Sequence, residues 1–314
     1  WEVLGAFEVE PDTNLPGGEA LARSIILGQK KTRQLTGAIS QIAWIPDVFG
    51  YNQCLPQIMA LGGVKYFYTT KMIWSNITKF PYTSFVWRGA DGTEILSHLG
   101  TTNYSGEVLL HVHDEAMAEH RQVGEHGELL LPTGYGDGGG GPNDLHVERA
   151  RRFENLSGAP RTHWTRADQF FARMEKQRRK LPVYQGELYL EYHRGTSTTQ
   201  SEFKRLYRRA EQGLQMHEAV HVSQGTESLP DEAWLRVLFA HFHDAIPGSS
   251  IREVYDQMNP ELAAIAEREY TQALEELASA GQGGEPLAFN SLPYARCAVV
   301  QRDRAYAQVD LPAI

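Results

Sequence analysis

Residues 38–69 constrain the fold of this chain more than any other stretch. Residues 38–45 form an apolar run stopped by Pro46 and read as a buried strand. Residues 52–61 follow as a short helical stretch closed by Gly62-Gly63. Glycine suits that place because the end of a helix often needs a left-handed backbone. Residues 64–69 are rich in β-branched and aromatic side chains and read as the next strand. A strand, a helix and a strand so closely spaced make a βαβ unit, whose two strands must run parallel.

The rest of the chain can be placed around that unit. Residues 85–88 and 93–99 flank Gly89-Ala-Asp91-Gly92, a hairpin signal. Residues 129–132 read as another short buried strand. It opens into a glycine-rich loop, with a polar helix after it near residues 144–154. From about residue 199 the periodicity is helical, over 202–221, 231–242 and 251–280. Three helices with short connections predict a bundle. Residues 281–286 read as a linker. Residues 287–290 and 298–309 look β-like, the start of a further β domain. No internal repeat is visible.

Bulk properties narrow the function classes. A length of 314 residues suits about two domains. Hydrophobic residues at 41% and charged residues at 22% are those of a folded chain and argue against disorder. A formal net charge of −9 disfavours nucleic acid and anionic membranes and fits a neutral substrate. No apolar run approaches the roughly 20 residues that span a bilayer. The two cysteines, Cys54 and Cys297, form no disulfide framework and point to a reducing, cytoplasmic compartment. The chain opens on Trp-Glu-Val-Leu-Gly-Ala-Phe, a strand already under way without initiator Met or signal pattern, and residues 305–314 also end inside a strand-like run. Both ends are expected to be cuts from a longer protein.

In parallel sheets and barrels, reactive groups gather where strands end and loops begin. Asp47 lies two residues beyond a buried strand, and Asp137 holds the same kind of place after 129–132. Two carboxylates converging on one pocket are the minimum machinery of a glycosidase. Asp47 can equally be a turn or helix-capping residue. The Gly138–Gly141 run lacks the Gly-Lys-Ser/Thr ending of a phosphate-binding loop; it suits either close approach to a ligand or a flexible surface loop. Three histidine clusters compete. His217-Glu218-Ala-Val-His221 has the zincin spacing, two histidines on one helix face, but no third ligand follows at a known spacing. His111-Val-His113-Asp114 reads as a solvated loop. In His241-Phe-His243-Asp244, residues i and i+2 do not share a helix face, so one histidine alone would serve as ligand. His243, at the helix end, is favoured, with packing as the structural alternative.

Four segments in order resemble the family 38 glycoside hydrolases, the α-mannosidases, and are most similar to their cytosolic and bacterial branch. They are Trp44-Ile-Pro-Asp47-Val-Phe49-Gly-Tyr-Asn-Gln-Cys-Leu-Pro56-Gln-Ile-Met59, Gly134-Tyr-Gly-Asp137-Gly-Gly-Gly-Gly-Pro142, Gly186-Glu187-Leu-Tyr-Leu-Glu191-Tyr-His193-Arg194-Gly195-Thr196, and His241-Phe-His243-Asp244-Ala-Ile-Pro-Gly248-Ser-Ser. Val9-Glu10-Pro-Asp12-Thr-Asn14-Leu-Pro16 also fits. The resemblance implies an α/β fold: a partial β/α barrel over 1–185 carrying the nucleophile, a three-helix bundle over 186–280 that completes the site, and the start of a β-sandwich region over 281–314.

The resemblance also implies roles. Asp47 is similar to the nucleophile, which also ligates a catalytic zinc. Phe49 matches an aromatic that lines the sugar pocket. His243 matches a second zinc ligand, Asp244 a carboxylate that contacts the sugar, and Asp137 the region that supplies the general acid. Glu191, His193 and Arg194 are expected to border the pocket. Zinc would bind the sugar's 2- and 3-hydroxyls and favour an oxocarbenium-like transition state. A metal-bound carboxylate stays ionised, while the acid needs a closed pocket to raise its pKa. Retention requires the two carboxyl groups to lie about 5 Å apart. The family takes two further metal ligands from a His-x-Asp element upstream of the Glu10 segment, and none precedes residue 1 here. A catalytic zinc takes about three protein ligands. The expectation is therefore weak or absent metal binding, and no activity, for these 314 residues alone.

The function expected is a retaining, zinc-dependent α-mannosidase acting on terminal α-mannose of oligosaccharides or glycoconjugates. Two alternatives come from other classes: a zincin-type metallopeptidase through His217 and His221, and a non-catalytic carbohydrate-binding fragment. The partner expected is an α-mannoside oligosaccharide, with no nucleic acid and no membrane; a homo-oligomer is left open.

Overall fold

A computed structural model describes residues 2–137, 139–281, 288–302 and 305–313. The chain divides into two compact units. One comprises Trp1–Thr199 and His241–Pro247, the other Gln200–Ala240 and Gly248–Ile314.

The first unit contains α1 (Gly18–Thr36), β1 (Ile42–Trp44), α2 (Leu55–Leu61), β2 (Tyr66–Thr69), β3 (Ser84–Arg88), β4 (Glu94–Leu99), α3 (Leu110–Ala118), α4 (Asp144–Phe153), α5 (Ala167–Glu175) and β5 (Val183–Gln185). Its sheet has the order β1-β2-β4-β3-β5. The βαβ unit forms as the sequence dictates: β1 and β2 run parallel with Ile42 opposite Tyr66, and β2 runs parallel to β4 with Tyr66 opposite Leu96. The hairpin also forms. β3 pairs antiparallel with β4, and its turn uses Gly92 at φ +89°. Strand alternation sends side chains to two faces. Ala43, Phe67, Phe85, Trp87 and Ile95 pack with Leu55 and Met59 of α2 and Ile25 of α1. Ile42, Tyr68, Val86 and Leu96 pack on the other face with Phe170, Phe171 and Met174 of α5.

Three local expectations need correction. Strand β1 covers only 42–44 of the apolar run 38–45. The Gln29 side chain takes over the backbone of Ser40, accepting from its N–H at 2.8 Å and donating to its carbonyl at 2.7 Å, so residue 40 has no need of a ladder. Residues 129–132 are not a strand. The Leu130 N–H donates to His98 Nε2 at 3.3 Å and its carbonyl accepts from the Tyr68 hydroxyl at 3.0 Å, so side chains satisfy the groups a ladder would have used. His111 and His113 are not in a solvated loop. They lie in α3, where His113 is buried with its ring edge-on to Phe153 at 5.8 Å.

The second unit contains α6 (Ser201–Ser223), α7 (Asp231–Phe239), α8 (Arg252–Ala280), and an antiparallel pair, β6 (Arg296–Arg302) and β7 (Ala305–Leu311). Helices α6 and α8 approach closely at Gly213, where a Cβ would stand 3.4 Å from the Ala266 carbonyl oxygen. Helix α7 stops at Phe239 rather than 242, because the His241 carbonyl accepts from the Asp12 N–H and the His243 N–H donates to the Glu10 carbonyl instead of continuing the helix. Of the expected linker at 281–286, only Gly281 lies within the described residues, and Leu287 lies outside them. No helix among the described residues is long and apolar enough to cross a membrane.

Candidate active site

The site is built at the ends of neighbouring parallel strands, all within the first unit. After β1 the Ile45 N–H still donates to the Tyr68 carbonyl at 3.0 Å, and the chain then leaves the sheet through Pro46 and Asp47. The Pro46 carbonyl accepts from the Thr69 and Thr70 hydroxyls at 3.2 and 3.0 Å, which pins this exit to the end of β2. The fully buried Tyr51 adds a second brace, its hydroxyl donating to the Ile45 carbonyl at 2.7 Å. Just past β2, a 3-10 turn over Lys71–Trp74 begins with a buried lysine. Lys71 Nζ donates to Asp47 Oδ1 at 2.6 Å and stands over the Trp74 and Phe49 rings, 4.3 and 5.1 Å from their centroids. Two adjacent strand ends thus deliver an anion and its cation to one point.

Distant segments supply the remaining groups. Pro11 forms a β-bridge with Phe242; the Asp12 N–H donates to the His241 carbonyl at 2.7 Å and the His243 N–H to the Glu10 carbonyl at 3.2 Å. This bridge carries Glu10 and His243 to Asp47. Glu10 Oε1 accepts the Asp47 N–H at 2.7 Å, and His243 Nε2 lies 3.4 Å from Asp47 Oδ2 and 3.7 Å from Asp244 Oδ2. A second bridge, between Tyr51 and Leu188, brings in the segment holding His193, whose ring stacks on Phe49 at 4.4 Å. Gly50, at φ +102°, lets the chain turn there; the Thr13 hydroxyl and the Asn14 amide donate to its carbonyl at 3.1 and 3.3 Å.

These neighbours set the charge states. Burial pushes Asp47 up, but hydrogen bonds from His243 and Lys71 more than offset it, and the carboxyl sits below its ordinary range. Burial pushes Glu10 above its ordinary value, against the pull of His243. His243 is lowered by burial and raised more strongly by Asp47, Glu10 and Asp244, so it stands above an ordinary histidine. Asp47 thus lies beside the Lys71 ammonium and the His243 imidazole, both of which favour its ionised form.

Asp137 lies on the glycine-rich loop and is exposed rather than enclosed by Phe and Tyr. Tyr104 donates its hydroxyl to Asp137 Oδ1 at 2.6 Å. Burial, that hydrogen bond and the charges of Asp47, Asp137 and Glu10 all push the Tyr104 phenol above its ordinary value. Gly136 makes the contact sterically feasible: a Cβ there would fall 2.3 Å from Ser105 Oγ and 2.4 Å from the Tyr104 ring.

A zinc ion held at about 2.0–2.1 Å by tetrahedral ligands sets its donors about 3.3 Å apart. The 3.4 Å spacing of His243 Nε2 and Asp47 Oδ2 fits two such ligands. Lys71 occupies Oδ1 and leaves Oδ2 to face the imidazole. Among the described residues, the group of three mutually close donors lies elsewhere, at His217, His221 and Glu276.

Comparison with known proteins decides the family. The glycosyl hydrolases family 38 N-terminal domain matches residues 1–187, and the alpha mannosidase middle domain matches residues 191–279. The chain belongs to glycosyl hydrolase family 38. Among its relatives, the alpha-mannosidase of Saccharomyces cerevisiae is 36% identical over 278 residues, covering 80% of this chain and 25% of the yeast protein. Human alpha-mannosidase 2C1 is 33% identical over 316 residues, covering 95% of this chain and 30% of that protein. The chain thus spans 25% and 30% of the length of these two curated relatives. The crystal structure of an alpha-mannosidase from Enterococcus faecalis superposes with a TM-score of 0.70 at 20% identity, over 94% of this chain and 37% of the other. That likeness carries the fold, the α/β partial barrel followed by the helical bundle.

Of the residues singled out in sequence, the structure brings Asp47, Phe49, His193, His243 and Asp244 together; Asp137 contacts Tyr104 instead. Lys71 and Tyr104 escaped notice, and Glu10 drew notice only within its segment, without a role. A signal for Lys71 existed: it follows β2 as Asp47 follows β1, and the strand-end rule applies to both. Glu10 and Tyr104 are joined to the site by long-range contacts that no local pattern announces. A cleft of about 250 Å³ borders Phe49, Asp12, Asn14, His193 and Arg194. Asp47 lines neither this cleft nor the larger ones of about 610 and 570 Å³.

Proposed function

We propose that this chain carries the nucleophile side of a retaining, zinc-dependent α-mannosidase that removes terminal α-linked mannose from oligosaccharides or glycoconjugates. One observation carries the reading: Asp47, at a strand end of a family 38 fold, pairs with Lys71 at 2.6 Å and faces His243 at 3.4 Å. In the first half-reaction an Asp47 oxygen attacks the anomeric carbon while its bond to the leaving oxygen breaks. Asp137, positioned by Tyr104, gives its proton to that oxygen. In the second, Asp137 takes a proton from water, water oxygen bonds to the anomeric carbon, and Asp47 is released. Phe49 offers the sugar an apolar face beside His193, and Asp244 accepts from its hydroxyls. Asp47 and His243 would hold the zinc on the side of this chain. Zinc, when bound, would polarise the sugar's 2- and 3-hydroxyls and favour the flattened ring of the transition state.

The cytoplasm is the proposed location, on the strength of the two free cysteines, Cys54 and Cys297, and the relationship to the cytosolic branch. The decisive experiment uses the full-length protein and 4-nitrophenyl α-mannoside. Release of 4-nitrophenol should vanish in Asp47→Asn and after chelation. Activity that survives either treatment overturns the proposal. A peptidase working through His217 and His221 would be untouched by Asp47→Asn, so the same variant separates the two.

A further inference from the structure

We propose that helices α6 and α8 hold a divalent transition-metal cation of the zinc class between His217, His221 and Glu276, tying the two helices together in the second unit. His217 and His221 stand four residues apart on one face of α6 and both meet Glu276 of α8. His217 Nε2 lies 3.3 Å from Glu276 Oε1, and His221 Nδ1 lies 3.0 and 3.2 Å from its two oxygens. The three donors all fall within 4.8 Å of one another. These spacings approach the edge of about 3.3 Å that a tetrahedral zinc sets between its ligands.

The surroundings of His217 strengthen the assignment. Its Nδ1 faces the buried Glu269 Oε2 at 2.6 Å, and Arg268 holds the other oxygen of Glu269 at 2.7 and 2.8 Å. An anchored carboxylate on one ring nitrogen selects the tautomer whose other nitrogen can ligate a metal, the arrangement common behind metal-binding histidines. His217 Nε2 then points at a second carboxylate, and two electron-rich atoms facing each other need a cation between them. Two imidazoles and one carboxylate select zinc, cobalt, nickel or copper over magnesium and calcium, which prefer all-oxygen sites. His221 and Glu276 are 31% and 28% exposed, which leaves water to fill a fourth position. The helices also approach closely one turn before His217, at Gly213, where a Cβ would stand 3.4 Å from the Ala266 carbonyl oxygen.

The alternative occupant of the gap is a proton on His217, and metal binding discriminates between them. The full-length protein carrying both Asp47→Ala and His243→Ala, which removes both of this chain's ligands from the other candidate site, is titrated with Co²⁺ alone and with Zn²⁺ alone. One equivalent should bind, with the strong visible bands of low-coordinate cobalt, and zinc should raise the unfolding temperature. Adding His221→Gln or Glu276→Gln should abolish the bands and the thermal response. Both residues are partly exposed, so these variants should fold; circular dichroism checks that they do. Glu269→Gln should weaken binding about 10–100-fold while keeping the ligands. No saturable binding in that double variant overturns the proposal, as does binding unchanged by His221→Gln and Glu276→Gln.

Discussion

At the residue scale, chemistry concentrates in the Asp47–Lys71 pair. Lys71 is buried, and its charge is shared between a carboxylate at 2.6 Å and the faces of Trp74 and Phe49. A lysine so placed favours the ionised form of Asp47 and also aims it, because the ammonium holds one oxygen and leaves the other to face His243. Replacing Lys71 by Met keeps the stem and removes the charge. The expected result is a fall in kcat of about 10²-fold for 4-nitrophenyl α-mannoside with the full-length enzyme, and little change in KM. A kcat within twofold of the parent would show that His243 suffices to hold the carboxylate. Tyr51 makes a structural counterpart. Tyr51→Phe removes the hydroxyl that satisfies the Ile45 carbonyl in a fully buried position. A cost of about 1–3 kcal/mol is expected in urea unfolding.

At the element scale, the position of helix α1 depends on one residue. A Cβ on Gly28 would fall 2.3 Å from the Phe7 carbonyl carbon and 2.6 Å from the Glu8 nitrogen, both backbone atoms that cannot rotate aside. Gly28→Ala should destabilise the protein by about 1–3 kcal/mol despite its gain in helix propensity. Part of that strain should reach the site, because residues 6–8 lead directly into Glu10, whose carboxylate accepts the Asp47 N–H. Chemical denaturation measures the cost, and an unchanged midpoint would mean that α1 can move away freely. The helix propensity of Gly28 is legible in sequence; its contact with residues 6–8 is not.

At the scale of the whole molecule, buried neutral histidines set the response to acid. Burial pushes His98 well below its ordinary value, aided by His120 and His126, and burial also lowers His113, His120 and His126. His98 fits this state: the Leu130 N–H donates to Nε2 at 3.3 Å, so the proton rests on Nδ1, 2.9 Å from Ser84 Oγ. Each such group binds a proton more readily in the unfolded chain, near an ordinary pKa of about 6.5. Below that pH the unfolded state holds more protons, so stability falls as pH falls and is fully present above it. A fully neutral His98 contributes a slope approaching about 1.4 kcal/mol per pH unit in that window. Stability followed by urea midpoint from neutral pH downward should fall less steeply in His98→Gln. An identical slope would assign the acid sensitivity to other groups.

Much of the architecture was written in local pattern. The βαβ unit, the hairpin at Gly89–Gly92 and the helical second half follow from side-chain periodicity and glycine placement, which act over a few residues and need no partner. Strand ends then pointed to Asp47, because parallel strands deliver their exits to one edge. Tertiary structure alone decided the rest. The stretch 129–132 has strand composition, yet His98 and Tyr68 take its hydrogen bonds, and that competition is set by residues far away in the chain. Lys71, Glu10 and His243 meet Asp47 only once the β2 exit and the Pro11–Phe242 bridge have formed. The pair His217 and His221 showed its spacing in sequence but lacked a third donor. Glu276 supplies it from 55 residues beyond His221, brought close by the packing of α8 on α6. Periodicity determines which face a residue occupies; only packing determines which residue waits on the other side.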